Sequence, residues 1–356
     1  MFKKIEVKNL KYKTAELPNS ATTEYSLPAL TAGIQNQGLN NYVPRENATI
    51  LKNVISISAN GANTGATFYQ SKEFTVLQDA YAIRWIYDNT KLNNNHYLFL
   101  VGAITKTISG NYEWTNKAGW NRIKSEKIQL PIKNGRINFN FMEEYINKLE
   151  HEYIRELTTY LNISELKDYV LTPIEEESLK NFQNLEWNLY NLEDLFGKAT
   201  RGKRLKSADR ILGDLPFVTA GEADEGVSAF IGNNVQIFSK NTITIDMFGS
   251  AKYRNYKYGG DDHIAVVHTE KIPRNAAIFI TTAIHKSSHN GQFDYGRNFY
   301  AKDADNLNIL LPSKDGKPDY EIMEKIISAI HKLVIKEVVL YVDRKSNKID
   351  FKKGVK

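Results

Sequence analysis

Leu27-Pro28-Ala29-Leu30-Thr31-Ala32-Gly33 returns 188 positions later as Leu215-Pro216-Phe217-Val218-Thr219-Ala220-Gly221. The match runs through Gly38 and Gly226, then through Lys52-Asn53-Val54-Ile55-Ser56-Ile57 and Lys240-Asn241-Thr242-Ile243-Thr244-Ile245, to Gly61 and Gly249. Eleven of the thirty-five ungapped pairs are identical, and several others exchange like for like, as in Leu39/Val227, Tyr42/Phe230 and Val43/Ile231. Two halves this alike share one fold. A second match closes each half: Leu130-Pro131 with Gly135, and Leu311-Pro312 with Gly316, both ahead of an apolar-striped helix. The offset has drifted to 181, so the halves differ in a variable middle. A duplicated reader with a diverged middle points to a target with two unlike parts.

Val54-Ile55-Ser56-Ile57-Ser58 and Thr242-Ile243-Thr244-Ile245-Asp246 alternate β-branched and small polar residues at the strand period, and Gly61 and Gly249 end the runs as turns. Each half is thus mixed α and β. Asn93-Asn94-Asn95 and Ser287-Ser288-His289-Asn290-Gly291 read as loops. From Phe141 the period changes: Tyr145, Leu149, Tyr153, Leu157 and Leu161 follow every fourth residue, which predicts a helix of about twenty residues. Its counterpart begins near Asp319, with Ile322, Met323, Ile326, Ile327, Ile330, Leu333, Val334 and Val338 at helical spacing. Each stripe either covers its own domain's sheet or packs on the other helix; an antiparallel pair would relate the halves by a pseudo-twofold axis. Leu161 to Glu186 reads as a charged connector around Pro173 with room for one more helix. Lys345 to Lys356 is basic and expected to fray.

The length of 356 residues agrees with two domains, and 42% hydrophobic with 11% aromatic content is that of a chain that folds. No apolar run approaches the ~18 residues of a membrane span. Met1-Phe2-Lys3-Lys4 leads into Ile5-Glu6-Val7-Lys8 rather than a signal core, so a cytoplasmic protein is expected. Zero cysteines exclude disulfides, thiolate zinc and cysteine nucleophiles. The net charge of +6 points to an anionic partner only where it is clustered. It is clustered at Lys198, Arg201, Lys203, Arg204, Lys206 and Arg210, against Asp209 alone, and again at Lys252, Arg254 and Lys257 among Tyr253, Tyr256 and Tyr258. Glu143, Glu144, Glu150, Glu152 and Glu156 mark the helix after the first repeat as acidic.

The Lys198–Arg210 run contains neither GxxxxGK[ST] nor GxGxxG, so it is read as a phosphate-backbone contact rather than a nucleotide cradle. Tyr253-Arg254-Asn255-Tyr256-Lys257-Tyr258-Gly259-Gly260 interleaves basic and aromatic side chains beside glycines, and reads either as a base and backbone contact or as a tyrosine-rich β-ribbon edge. In the first half Asn60, Asn63, Thr64, Tyr69, Gln70 and Lys72 take the equivalent place, with Trp114, Asn116, Lys117, Trp120, Asn121 and Arg122 further on. His285 and His289, near Asp294, suit a polar loop touching phosphate or base edges better than a metal site, and Lys286 joins them; no metal is expected. Asp261-Asp262-His263 resembles an acid–base pair, but alignment of Asp262 with Asp79 favours a shared cap or turn acceptor. No Asn-Pro-Pro-Tyr, GxSxG or HExxH occurs, and no catalytic residue is assigned.

Leu185-Glu186-Trp187, Leu192-Glu193-Asp194-Leu195-Phe196, Pro216-Phe217-Val218-Thr219-Ala220-Gly221 and the run Thr242 to Ala251 resemble the specificity subunit of Type I restriction-modification systems. The last run is also similar to recognition domains of the Type IIB class. The resemblance covers nearly the whole chain, although the first half opens with Ile5-Glu6-Val7-Lys8-Asn9-Leu10, lacks the Trp and has no basic loop. It implies an α+β chain of two tandem mixed α/β target recognition domains, related by a pseudo-twofold and separated by a pair of long antiparallel helices. The boundaries expected are 1–140 for the first domain, 141–184 for the central spacer helix and connector, 185–318 for the second domain, 319–343 for the distal spacer helix and 344–356 for a basic tail. A helix of about twenty residues spans ~30 Å, close to the ~34 Å of one duplex turn.

The implied function is non-catalytic DNA sequence recognition within a restriction-modification complex, each half reading one part of a bipartite site. The implied partners are double-stranded DNA, a methyltransferase subunit and a restriction subunit, with no membrane. S-adenosylmethionine, Mg and ATP belong to the partner subunits and no cofactor to this chain. The rival readings are a stand-alone DNA-binding protein or nuclease working through Asp261, Asp262 and His263, and a β-rich binding module for sugars or acidic proteins.

Overall fold

The computed structural model describes residues 1–353, with side chains to residue 347. The end of the basic tail expected over 344–356 lies outside the described residues. The chain divides into two compact units, Met1–Glu156 and Leu157 onward.

The first unit carries β1 (Phe2–Lys4), β2 (Leu27–Leu30), β3 (Leu39–Val43), β4 (Val54–Ser58), β5 (Thr67–Gln70), β6 (Thr75–Val76) and β7 (Ala80–Trp85). Helices α1 (Asn94–Ile108) and α2 (Trp120–Ile123), the hairpin β8 (Ile132–Lys133) and β9 (Arg136–Ile137), and the first part of α3 (Phe139–Ile163) follow. Strand β4 is the alternating run Val54–Ser58, and it sits inside the sheet β1-β7-β4-β5. All five of its residues are buried because both faces are covered. Ile55 and Ile57 pack on Leu100, Ile104 and Ile108 of α1. Val54 turns the other way, into a cluster with Leu30 and Val76 of the second sheet, β3-β2-β6.

The second unit opens with the end of α3 and α4 (Pro173–Lys180), which occupies the connector. It continues through β10 (Trp187–Asn191), α5 (Leu192–Phe196), β11 (Thr200–Arg201), β12 (Leu212–Val218), β13 (Val227–Ile231), β14 (Ile237–Phe238) and β15 (Thr242–Asp246). Then come β16 (Ala251–Arg254), β17 (Tyr258–Gly260), β18 (Ile264–Val267), α6 (Arg274–Ser288), α7 (Ala301–Asp305), β19 (Asn308–Lys314), β20 (Lys317–Pro318) and α8 (Tyr320–Lys353). Its sheet β11-β18-β15-β16 packs Ile243 and Ile245 on Ile280 and Ile284 of α6. Val266 and Ile264 face Val218 and Tyr258 of the sheet β13-β12-β17-β14.

The two units repeat one chain trace. Ile55 pairs with Ile83 as Ile243 does with Val267, and Ala29 runs parallel to Thr75 as Phe217 does to Gly259. The loop after β2 turns through left-handed Asn36 and Gln37 (φ 46° and 58°), and that after β12 through Asp224 and Glu225 (φ 47° and 54°). The glycine that closes each loop has no alternative: a Cβ on Gly38 would lie 2.9 Å from the Thr31 carbonyl oxygen, and one on Gly226 2.6 Å from that of Thr219. The drift of the offset is a matter of loops. The β4–β5 connection, Ala59 to Ala66, is four residues longer than the β15–β16 connection, Met247 to Ser250. The path from Ile83 to α1 is likewise four residues longer than that from Val267 to α6.

Four expectations change. Asn93 is the N-cap of α1, accepting the His96 N–H at 3.0 Å, so the asparagine run starts a helix rather than forming a loop. His285, Lys286, Ser287 and Ser288 likewise end α6 instead of lying in a loop. On α3 the buried positions are Met142, Ile154 and Leu161, while Phe141, Tyr145 and Tyr153 are exposed. A four-residue repeat overshoots the 3.6-residue turn, so the stripe winds around the helix instead of staying on its buried face. Helix α8 also continues past the boundary expected at 343, to Lys353.

Candidate nucleic-acid interface

In the second unit the basic segment is fixed by its backbone and leaves its charges outside. Gly202 lies against β17, where a Cβ would stand 1.8 Å from the Gly260 carbonyl oxygen. The Lys203 N–H donates to that oxygen at 3.0 Å, and the Leu205 N–H donates to Asp261 Oδ1 at 3.2 Å. Lys198, Arg201, Lys203, Arg204 and Lys206 are all exposed. Arg210 is turned inward, donating to Ser228 Oγ at 3.2 Å and lying 5.2 Å from the Phe217 ring centre.

Register separates the remaining second-half candidates. Strand β11 runs antiparallel to β18 and pairs Arg201 with Ala265, so Lys203 and Arg204 lie toward the end of the sheet where β15 finishes. His285 and Lys286, at the C-terminus of α6, share that end, as His285 Nδ1 accepts the Ala251 N–H at 3.2 Å. Tyr253 donates to Asn241 Oδ1 at 2.9 Å, and Lys257 lines a groove of about 920 Å³ with Lys240, Asn255 and Arg274 where β15 begins. Tyr256 and Lys257 therefore stand at the opposite end from Lys203. Lys198, before β11, falls on their side.

Two candidates belong to the core. Arg254 is 1% exposed, and it donates to Thr244 Oγ1 (3.0 Å), the Tyr256 hydroxyl (2.9 Å) and the Glu225 carbonyl (2.7 Å). Tyr258 is fully buried, its hydroxyl 3.0 Å from Thr242 Oγ1. Neither side chain reaches solvent, so neither can touch a nucleic acid in this conformation; edge strand β16 directs Arg254 inward, and β17 of the facing sheet does the same for Tyr258. Lys252 is largely committed too, to Glu222 Oε1 at 3.1 Å and Ser250 Oγ at 2.8 Å. The Ser250 and Lys252 contacts hold the Glu222 carboxyl below its usual range. Burial, reinforced by neighbouring His289, pushes the His285 imidazole down, so it serves as a neutral acceptor.

Asp261, Asp262 and His263 can bring three ligand atoms within 4.8 Å of one another. Asp261 acts as a scaffold acceptor for Leu205, and its own N–H donates to the Val218 carbonyl at 2.9 Å. The Leu77 N–H makes the same bond to Leu30 in the first unit, at 2.8 Å. Asp79 therefore aligns with His263 rather than with Asp262, and the turn acceptor is Asp261.

In the first unit Asn60, Asn63 and Thr64 lie in the β4–β5 turn. Asn60 donates to Asp79 Oδ1 at 2.9 Å, and Thr64 Oγ1 accepts the Ala118 N–H at 2.9 Å, which brings the loop bearing Lys117 and Arg122 to the same end of the sheet. Arg122 donates to Asn116 Oδ1 at 2.8 Å, and both it and Lys117 are exposed. Lys72, in the β5–β6 connection, follows the far end of β5 and stands apart from them. A cleft of about 540 Å³ beside Asp79, lined by Thr14, Asn19, Thr31, Asn40 and Gln78, was not singled out from the sequence.

The description Type I restriction modification DNA specificity domain matches the chain twice, over residues 2–159 and 184–340. The chain belongs to this family. A relative 24% identical over 330 residues, with 91% of each chain covered, is the Type II restriction enzyme BgcI specificity subunit S.BcgI of Heyndrickxia coagulans. A crystal structure of the Type-I restriction-modification system S subunit from M. genitalium has the same fold, with a TM-score of 0.56 and 15% identity over 98% of this chain and 92% of that one. The protein is thus a specificity subunit carrying two specificity domains in tandem. Around the loop after β2 or β12 the repeat preserves Thr31/Thr219, Gly33/Gly221 and Gly38/Gly226, and it varies the exposed position Asn40/Ser228. Asn40 and Gln78 both stand where the repeat breaks, the signal by which the sequence could have marked them. No described helix is long and apolar enough to cross a membrane.

Proposed function

We propose that the two specificity domains each read one part of a bipartite duplex DNA site, and that the chain does so as the non-catalytic subunit of a restriction-modification complex. One observation carries this reading: a single backbone trace occurs twice, with exposed side chains of different chemistry at equivalent loops. Equal scaffolds dock alike, and unlike side chains select unlike bases. Exposed Lys203, Arg204 and Lys206 supply phosphate contacts in the second domain, and Lys117 and Arg122 do so in the first.

The partners in this reading are a methyltransferase subunit and a restriction subunit, which carry S-adenosylmethionine, Mg and ATP in a cytoplasmic assembly. Exposed Tyr145, Tyr153 and Tyr160 on α3 offer the methyltransferase one aromatic surface, and exposed Leu333, Val334 and Tyr341 on α8 offer it another. The domain limits in this reading are 1–140 and 185–318, with α3 and α8 as the spacer.

Exchanging residues 27–130 for those of a relative tests it. The expected outcome is a changed sequence in one half-site and an unchanged sequence in the other, read by selection from a randomised duplex pool with the methyltransferase present. A change in both half-sites rejects modular reading. Plasmid cleavage by the chain alone with magnesium would favour a nuclease built on Asp261, Asp262 and His263.

A further inference from the structure

We propose that base discrimination in each domain is carried by three equivalent positions: Asn40, Gln78 and Asp79, which line one cleft in the first domain, and Ser228, Asp262 and His263 in the second. This rests on the DNA-reading function proposed above and names the residues that would perform it.

The equivalence is set by the backbone. The Thr31 N–H donates to the Gly38 carbonyl at 3.0 Å, as Thr219 does to Gly226 at 2.8 Å, which fixes the loop after β2 or β12. Two residues beyond each glycine comes Asn40 or Ser228. The bonds from Leu77 to Leu30 and from Asp261 to Val218 fix the turn before β7 or β18, and the next two residues are Gln78-Asp79 or Asp262-His263. Around these positions Thr31/Thr219, Ala32/Ala220, Gly33/Gly221 and Gly38/Gly226 are identical. The scaffold is constant while the three presented groups change from amide to hydroxyl, amide to carboxylate, and carboxylate to imidazole.

The lining of the first cleft contains no lysine or arginine, which makes it a poor seat for phosphate and leaves neutral base edges as the complementary ligand. Gln78 is exposed, and its amide has no hydrogen-bond partner among the described residues, so no scaffold role accounts for it. Asn60 engages Asp79 Oδ1 and leaves the second carboxylate oxygen open. An amide suits the donor and acceptor pair of adenine, and a carboxylate accepts from the cytosine amino group. Asn40 is held at the rim by donating to Thr31 Oγ1 and, at 3.4 Å, to the Gly38 carbonyl. In the second domain the exposed Ser228 hydroxyl accepts from Arg210 and donates to the Phe217 carbonyl, each at 3.2 Å, and Asp262 stands 3.6 Å from His263 Nδ1.

The test uses the full chain in complex with its methyltransferase, with selection from a randomised duplex pool. Gln78→Glu changes the hydrogen-bonding character without changing shape at an exposed, unpaired position, so it folds. It is expected to alter base preference at one or two positions of one half-site by at least about 5-fold, with the other half-site unchanged. Asp262→Asn is expected to act on the opposite half-site alone. Unchanged preferences in both variants, uniform weakening without a change of preference, or a change in both half-sites from one substitution would each overturn the assignment. If the wild-type complex selects no bipartite sequence at all, it is the DNA-reading function that fails.

Discussion

Gln70 and Arg254 hold the same place in the two domains and make the same pair of hydrogen bonds. Gln70 donates to the Gln37 carbonyl at 3.3 Å and to Ser56 Oγ at 3.0 Å. Arg254 donates to the Glu225 carbonyl at 2.7 Å and to Thr244 Oγ1 at 3.0 Å. Gln37 and Glu225 are left-handed residues of the loop beside the cleft, and Ser56 and Thr244 are central residues of β4 and β15. The side chain at this position ties the loop to the strand beneath it. Its charge is incidental to that task.

Arg254→Ala is therefore expected to destabilise the second domain by about 2–4 kcal/mol, since it takes the donor from the Glu225 carbonyl and from the Thr244 and Tyr256 hydroxyls. Arg254→Gln, which installs the first domain's own solution, should recover most of that loss. Denaturant unfolding of the full chain measures both. A variant that keeps its stability but changes base preference would return Arg254 to the DNA interface.

Glu175 joins α4 to α8 inside the second unit: its carboxylate accepts from Ser328 Oγ at 2.6 Å and from Lys332 Nζ at 3.1 Å. Burial pushes its carboxyl up, but the hydrogen bonds from Ser328, the Thr172 N–H and Lys332 outweigh it and hold it down at about 2. A carboxyl lower in the folded state than its ordinary 4.5 stabilises the fold above that value, and the contribution is lost as pH falls from there toward 2. Thermal unfolding should show a loss on the order of 2 kcal/mol across this window. In Glu175→Gln that part of the pH dependence should be absent.

Gly202→Ala should cost about 2–4 kcal/mol, because backbone rather than a flexible side chain blocks the new methyl group. The basic segment would have to lift off β17, breaking the Lys203–Gly260 bond. Melting temperature and protease sensitivity near Lys203 report it together.

Replacing exposed Lys203 and Arg204 with alanine should leave stability within about 0.5 kcal/mol. If both contact phosphates, the slope of log affinity against log salt should fall by about 2 with base preference retained. An unchanged slope would place both side chains off the DNA.

Some of this was written in single residues and some was not. The strands β4 and β15 were legible because Ile55, Ile57, Ile243 and Ile245 alternate with small polar residues. What alternation hid was that Ser56 and Thr244 are also buried, as the acceptors for Gln70 and Arg254. Helix α6 was missed because its buried face is written partly in Ala276, Ala277, Thr281 and Ser288. Small residues let a helix sit close on a sheet but leave little hydrophobic period to detect.

The sequence by itself determined that one fold occurs twice, because the turns that define it demand particular residues: Gly38 and Gly226 fit where a Cβ would strike backbone. It also determined that cationic residues gather before β12. Only the tertiary structure decided which of those residues face outward, because a side chain's direction depends on what covers each face of its strand. Arg254 and Lys257 stand three apart in one basic, tyrosine-rich run, yet one lies between two sheets and the other at the surface.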